Sequence, residues 1–295
     1  MHKLYKKSYI LLFLISLFIF EVKFIFNDIS KSNKNIFTFW EPKDKIPGYI
    51  LLCIKTWKKF LPDYQIHILD YKTAKIYLGE TLFSKIICKS MTLPIQADAI
   101  RVALLKKYGG FWLDADTIIL NGEFFKTCYD YEMVLLGDEK SKTQNIGFIF
   151  ASNNSKIIDK WLKGIINNIK IYKDNFGSIN SKHGKNKIAW FYLGNGIVDK
   201  LVENTKRKEF MRFDRNKIKY MPELNFFGNT SLTQTQKYNL LYFRKREPQI
   251  ILNESKNLLC LHNSWTPYKY KIMSEKEFLN QDILLSKILS KILNE

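Results

Sequence analysis

The alternation of apolar and polar positions predicts strands and helices in turn along the first part of the chain. Residues 36–40 (IFTFW) form a short apolar strand, and residues 50–60 have the spacing of an amphipathic helix that ends at Pro62. Residues 64–69 alternate as a second strand. Two strands joined by a helix are typical of an α/β nucleotide-binding domain, which binds its ligands at the carboxyl ends of the strands.

The most informative stretch is residues 93–120, LPIQADAIRVALLKKYGGFWLDADTIIL. Its first half predicts a helix, because Pro94 suits a first turn and apolar residues recur at helical spacing. Gly109 and Gly110 end this helix, and residues 111–113 predict a short apolar strand. Asp98 and Arg101 are three residues apart, so they lie on one face of the helix.

Two carboxylates, Asp114 and Asp116, close this strand. Alternate side chains of an extended segment share a face, so we expect both carboxylates to point the same way. Held together, they repel each other unless a cation lies between them. Hard oxygen ligands suit Mg²⁺ or Mn²⁺, which often also hold a diphosphate. The stretch therefore predicts a metal site beside an acid–base pair.

The second half of the chain predicts strands at residues 132–136, 144–151 and 258–261. A helix is expected at residues 157–169, followed by a polar loop over the site at residues 170–187. The final helix, residues 274–295, is amphipathic, and packing on the domain is favoured over a membrane-surface position.

The first 34 residues form a hydrophobic segment and a polar linker. The apolar run at residues 8–20 is shorter than the roughly 20 residues of a spanning helix, and extending it to residue 26 includes Glu21 and Lys23. No small-residue cleavage site follows, so a retained membrane anchor, single-pass or peripheral, is favoured over a removed signal peptide. A buried N-terminal element is the alternative. The domains are then 1–34, a catalytic domain at 35–273, and the helix at 274–295.

Composition limits the possible partners. The net charge of +19 predicts attraction to nucleotide diphosphates, lipid-linked phosphates or a membrane surface, although lysines that merely cover a solvated surface would give the same total. No basic helix or aromatic RNA-binding motif indicates nucleic-acid binding. The four cysteines stand in no metal-binding or nucleophile pattern and are interpreted as core thiols, which mildly favours a reducing compartment; they are Cys53, Cys88, Cys128 and Cys260.

The helix–strand unit resembles the signature of DXD-type sugar transferases. These are the capsular polysaccharide synthesis proteins, the initiation-type mannosyltransferases and, more distantly, the clostridial glucosylating toxins. Ala97 stands where the family usually has Ser. The matching residues are Ala97, Asp98, Arg101, Leu105, Gly109, Gly110, Asp114 and Asp116. The resemblance implies a GT-A-like, Rossmann-type α/β domain with a mixed sheet and retention of anomeric configuration.

The resemblance also implies roles for individual residues. Asp98, Arg101, Asp114 and Asp116 are the expected catalytic residues, with Asp98, Arg101 and Asp114 holding the donor. His262 would join Asp114 and Asp116 as a metal ligand and, as an imidazole, would favour Mn²⁺ over Mg²⁺.

Further residues match the family in looser ways. Trp40 would stack on the nucleotide base, although a core tryptophan is an equal alternative. Ser264 and Trp265 would contact the diphosphate, and Lys269 would help to neutralise it on departure. Asn145 is the candidate on the acceptor side, with simple turn chemistry before Gly147 as its alternative.

The resulting hypothesis is a metal-dependent glycosyltransferase that moves a sugar from a UDP- or GDP-linked donor to a glycan or lipid-linked acceptor. In a bacterium the catalytic domain would face the cytoplasm, where nucleotide sugars are made. A membrane-tethered glycan-binding or scaffold protein is the non-enzymatic alternative. A DxD phosphotransferase of the haloacid-dehalogenase type is disfavoured, because Ile118 stands where that class has Thr or Val and the motif lies deep in the chain.

Overall fold

The computed structural model describes residues 34–137, 144–183, 189–203, 205, 209–214 and 231–295. The predicted N-terminal anchor, residues 1–34, therefore lies outside the described residues except for Lys34. Within the described ranges, no helix combines the length and the apolar character that a bilayer crossing requires.

The described helices and strands alternate through the chain. In order they are β1 (Asn35–Phe39), α1 (Gly48–Phe60), β2 (Gln65–Leu69), α2 (Tyr71–Leu78), α3 (Glu80–Ile86), α4 (Leu93–Tyr108), β3 (Gly110–Leu113), β4 (Thr117–Ile119), α5 (Glu123–Thr127), β5 (Met133–Gly137), β6 (Gln144–Ala151), α6 (Lys156–His183), α7 (Asn195–Val202), β7 (Phe210–Asp214), α8 (Gln234–Tyr242), α9 (Gln249–Leu252), β8 (Leu258–Cys260), α10 (Tyr268–Lys271), α11 (Glu275–Leu279) and α12 (Leu284–Asn294). Short 3₁₀ turns lie at Lys43–Lys45, Cys128–Asp130 and Asn263–Trp265.

Six of the strands form a mixed sheet in the order β2-β1-β3-β6-β5-β7, and β4 pairs with β8 in a separate two-stranded sheet. Strand β1 is parallel to both β2 and β3, whereas β6 is antiparallel to β3 and β5. The predicted α/β class with a mixed sheet is confirmed.

The sheet lies between two hydrophobic layers because its apolar strands bury both faces. Ile36 and Phe111 face the layer that contains α1 and the C-terminal helix α12. Phe37 and Trp112, their chain neighbours, face the layer that contains α4 and α6. The period of two along each strand therefore assigns adjacent side chains to opposite cores.

The predicted loop at residues 170–187 is wrong for most of its length, because α6 continues to His183. Buried Ile169 and Tyr172 extend the apolar stripe of the helix past its predicted end. The remaining residues of that predicted loop, 184–187, lie outside the described ranges.

The predicted terminal helix is two helices, α11 and α12, separated at residues 280–283. Ser274 begins α11 with a capping box, since its hydroxyl accepts from the Glu277 N–H while the Glu277 carboxylate accepts from the Ser274 N–H. Helix α12 starts where the Leu284 N–H donates to Arg244 O at 2.8 Å. Phe278 and Ile288 are fully buried, so the predicted packing on the domain is confirmed.

The four cysteines are buried free thiols, as the sequence predicts. Burial raises the pKa of the Cys53 and Cys260 thiols well above the ordinary value. Cys53 and Cys260 are therefore inert core residues rather than nucleophiles.

Candidate functional site

A cavity of about 630 Å³ opens at the edge of the sheet where β1 and β3 end. Strand β6 begins at this same edge because it runs antiparallel to its neighbour β3. The cavity brings together most of the residues singled out from the sequence: Trp40, Asp98, Arg101, Asp114, Asp116, Asn145, His262 and Ser264 all line it.

Arg101 joins two carboxylates in one wall of this cavity. Its guanidinium forms ion pairs with Asp98 Oδ1 at 3.1 Å and with Asp114 Oδ1 at 3.4 Å. The guanidinium also donates to the backbone carbonyl of Ile146 and lies 4.9 Å from the centre of the Trp112 ring. We call Asp98, Arg101 and Asp114 the charged wall. Its members come from α4 and the end of β3, so the predicted helix–strand unit positions them.

Asp98 is almost completely buried, and burial raises the pKa of its carboxyl group to about 7, against the opposing effect of Arg101. Its carboxylate packs against Gly194, where a Cβ atom would lie 2.7 Å from Asp98 Oδ2. A glycine is therefore needed beside Asp98 for the carboxylate to keep its position. Sequence reasoning did not assign this role to Gly194.

The two carboxylates of the DXD sequence lie on a turn, which corrects the expectation of an extended segment. The Thr117 N–H donates to Asp114 O at 3.0 Å, so the chain reverses between β3 and β4. Asp114 Oδ1 accepts from the Trp112 indole N–H at 2.9 Å, and its side chain is half-exposed. Both carboxylates still line one cavity, because the turn brings Asp116 back toward it.

Asp116 is fixed by the chain that follows β8. Its Oδ2 accepts from the Asn263 N–H at 2.8 Å, and its backbone carbonyl accepts from the Leu261 N–H at 3.0 Å. Burial raises the pKa of the Asp116 carboxyl group to about 7, and the negative charge of Asp114 contributes to the increase. A cation between the two carboxylates would relieve this repulsion.

His262 lines the cavity on the same side. Burial lowers the pKa of its imidazole, while the charge of Asp114 acts in the opposite direction. The ring lies 4.0 Å from the Trp265 ring, centre to centre. Within the described part of the chain, no group of three His, Cys, Asp or Glu residues could hold a metal ion. The predicted trio of Asp114, Asp116 and His262 thus shares a cavity without forming a ready three-ligand site.

The other predicted donor residues are divided between the cavity and its surroundings. Trp40 is half-buried in the lining, and Ser264, which follows β8, is exposed in the same lining. Trp265 is not in the lining and lies behind His262, 5.7 Å from the Tyr238 ring. Lys269 is also outside the lining, with its ammonium 4.8 Å from the centre of the Tyr270 ring.

Asn145 and Gly147 shape the cavity at the start of β6. The Asn145 side-chain oxygen accepts from the Gly147 N–H at 2.9 Å, which is the turn chemistry given as its alternative role. A Cβ atom on Gly147 would lie 2.7 Å from Asp114 Oδ2, and the Asp114 N–H donates to Gly147 O at 2.8 Å. Gly147 therefore allows Asp114 to approach β6, a role that its sequence position did not reveal.

Two aromatic residues that sequence reasoning also missed, Trp190 and Phe191, complete the lining. They lie just before α7, next to one another, and both are exposed. The signal that would have found them is the adjacent pair of large aromatics directly after a polar stretch.

An α/β domain with a charged wall and an acidic turn at the carboxyl edge of its sheet has its polar residues where such domains bind their ligands. A family model described as "Capsular polysaccharide synthesis protein" matches residues 11–175, more than half of the chain. The chain belongs to that family, which confirms the resemblance found in the sequence. The protein is therefore a glycosyltransferase, and the phosphotransferase and non-catalytic alternatives are set aside.

Comparison with solved structures gives more distant similarities. An active-site mutant of LgtC is 13% identical over 80% of this chain and 92% of its own, with a TM-score of 0.39. The glycosyltransferase domain of the YGT toxin is 10% identical over 88% of this chain and 99% of its own, with a TM-score of 0.40. The PaToxG glycosyltransferase is 17% identical over 92% of this chain and 94% of its own, with a TM-score of 0.34. No curated protein matches the chain.

Proposed function

We propose that this glycosyltransferase uses a divalent cation and a UDP- or GDP-sugar, and transfers the sugar with retention of configuration to a glycan or lipid-linked acceptor during capsular polysaccharide synthesis. The fold would then be a GT-A-like nucleotide-sugar domain. The observation that carries the proposal is the charged wall, in which Arg101 is held between Asp98 and Asp114 inside the cavity.

The charged wall suits the recognition of a donor sugar. The Arg101 guanidinium is held by two carboxylates, a backbone carbonyl and the Trp112 ring, so little conformational freedom remains to be lost on binding. Asp98, with a pKa of about 7, exists in both protonation states near neutral pH and can donate to or accept from a sugar hydroxyl.

Asp114 and Asp116 would hold the cation together with the donor's diphosphate. Mg²⁺ is usually bound by one or two carboxylates and by substrate phosphates rather than by a cage of protein ligands. Two cavity-lining carboxylates that repel each other fit this mode of binding. When bound, the cation supplies positive charge that stabilises the departing nucleoside diphosphate.

Three residues would complete the donor site. Burial lowers the pKa of His262, which favours the neutral imidazole that binds metals; as a ligand it would favour Mn²⁺. Trp40 would stack on the nucleotide base, and Ser264 would contact the diphosphate. Lys269, outside the cavity lining, has no part in this proposal.

The test is hydrolysis of a panel of UDP- and GDP-sugars by the full chain, with Mn²⁺, with Mg²⁺ and with EDTA. Asp116→Asn keeps the side-chain shape and an acceptor for the Asn263 N–H but removes the charge. We expect metal-dependent turnover of one donor that falls at least about 100-fold in this variant. Asp63→Asn is the matched control, since that side chain is 77% exposed at the surface.

Full activity in EDTA, or in Asp116→Asn, would contradict the cation proposal. If no nucleotide sugar were turned over and none raised the melting temperature, the donor class itself would be wrong. The anomeric configuration of the product, observed by NMR during early turnover, tests retention separately.

A further inference from the structure

Trp190 and Phe191 present large apolar rings to solvent at the cavity. Their exposed fractions are 68% and 58%, although aromatic side chains of this size are usually a main source of buried area. Both line the same cavity as the charged wall. Ligand pockets are lined mainly by hydrophobic and aromatic side chains, so adjacent exposed rings inside a cavity favour a binding role.

The backbone that carries these rings is fixed. The buried Trp161 indole N–H donates to Leu193 O at 2.8 Å, and Asn168 and Tyr192 exchange hydrogen bonds of 3.2 and 3.1 Å. The Gly196 N–H donates to Phe191 O at 2.8 Å. The turn is thus tied both to α6 and to the start of α7, so the exposed rings are presented from a defined backbone.

The order of the strands places this turn on the opposite side of the cavity from Trp40. Trp40 follows β1, and Asp114 follows the next strand, β3. Asn195, which begins α7 directly after the turn, donates to Gln144 O at the start of β6, the strand beyond β3. The charged wall therefore lies between the base-binding side and the aromatic pair.

We propose that Trp190 and Phe191 form an aromatic platform for a pyranose ring of the acceptor glycan. This inference rests on the proposed function, in which Trp40 and the DXD turn take the nucleotide part of the donor. The face of an aromatic ring carries partial negative charge, which attracts the polarised C–H groups on one face of a sugar and disfavours a phosphate. The platform thus suits the uncharged acceptor ring beyond the charged wall.

The experiment measures saturation transfer by NMR from the protein to a panel of methyl glycosides of glucose, galactose, mannose and N-acetylglucosamine. UDP or GDP with diamagnetic Mg²⁺ is present to occupy the donor side. We expect at least one glycoside to receive saturation on one ring face, and its apparent affinity to fall at least about fivefold in Trp190→Ala. Trp190→Phe, which keeps an aromatic face, should restore most of the signal.

Tyr268→Ala is the matched control, because Tyr268 is 75% exposed and lies outside the cavity lining. The proposal is overturned if no methyl glycoside receives saturation, if Trp190→Ala keeps the signal, or if Tyr268→Ala loses it equally. It is also overturned if Trp190→Ala abolishes the stabilisation by UDP or GDP, since the rings would then serve the base. Donor hydrolysis tests the proposed function independently. A protein that binds glycosides but turns over no donor would contradict the proposed function and leave the aromatic platform standing.

Discussion

The charged wall and the aromatic platform line one cavity but are built in opposite ways. In the charged wall, Asp98 and Arg101 are buried and each charge has a partner, so side-chain positions are set by many contacts. On the platform only the backbone is fixed, and the rings are largely exposed. The many contacts in the charged wall therefore fix its side chains precisely, whereas the rings of the platform have more freedom to adjust.

The largest fall in donor turnover is expected from removing the positive charge of Arg101. Arg101→Met removes the guanidinium that pairs with both Asp98 and Asp114, and breaking a buried ion pair costs about 3–5 kcal/mol. We expect donor turnover to fall at least about 1,000-fold and the urea midpoint to decrease. Arg101→Lys keeps a charge without the planar fork and should be intermediate. If Arg101→Met kept a tenth of wild-type turnover, the charged wall would not be the centre of the site.

A smaller effect is expected from Gly194→Ala, which changes the junction between the two regions. The added Cβ would lie 2.7 Å from Asp98 Oδ2 and 2.6 Å from the end of the Ile146 side chain. The φ of Gly194 is −91°, so an alanine there does not meet the penalty of a left-handed backbone. We expect an approximately tenfold fall in turnover and about 1–3 kcal/mol of destabilisation.

Gly164→Ala is the control for this substitution, because the nearest atom to its added Cβ would be the Ile197 Cγ2 methyl at 3.0 Å, with no carboxylate among its nearest neighbours. Turnover and urea unfolding are measured for both variants. Equal losses in the two would mean that the contact with Asp98 has no special importance.

The smallest expected effect is a pH-dependent change in stability at Asp116. Its pKa is about 7 in the folded protein, raised by burial from an ordinary value of 3.8, so the folded state binds more protons than the unfolded state between these values. The free energy of unfolding then falls as the pH rises through this window. In EDTA, Asp116→Asn should melt above the wild type at pH 8, and the difference should disappear near pH 4. A difference that does not change with pH would contradict the assigned cause.

Local spacing was sufficient to predict the helix α4 and the strand β3. Three-residue spacing fixes Asp98 beside Arg101, and Gly109 ends the helix with a φ of +68°. The alternation of residues along the DXD sequence was misleading, because the i to i+3 hydrogen bond at Asp114 and Thr117 replaces the extended segment. Residue spacing predicts the helix and the strand, whereas the conformation of the turn depends on the tertiary contacts of the residues in it.

The missed residues share a different physical reason. Gly147 and Gly194 matter because carboxylates from distant parts of the chain approach them, and the sequence does not show such a neighbour. The extension of α6 was missed because polar residues around Tyr172 hid the continuing apolar stripe. Long-range packing, rather than local propensity, decided each case.

The attachment of Asp116 to the segment after β8 has a consequence for how the protein is made. Its carboxylate accepts from Asn263, 147 positions later, and β4 has no pairing partner in the described chain until β8 is present. Contacts of such high sequence separation form slowly, because the intervening chain must first be closed into a loop. The acidic turn can therefore reach its final position only after the chain as far as Asn263 has left the ribosome, so the cavity that it lines is completed late in synthesis.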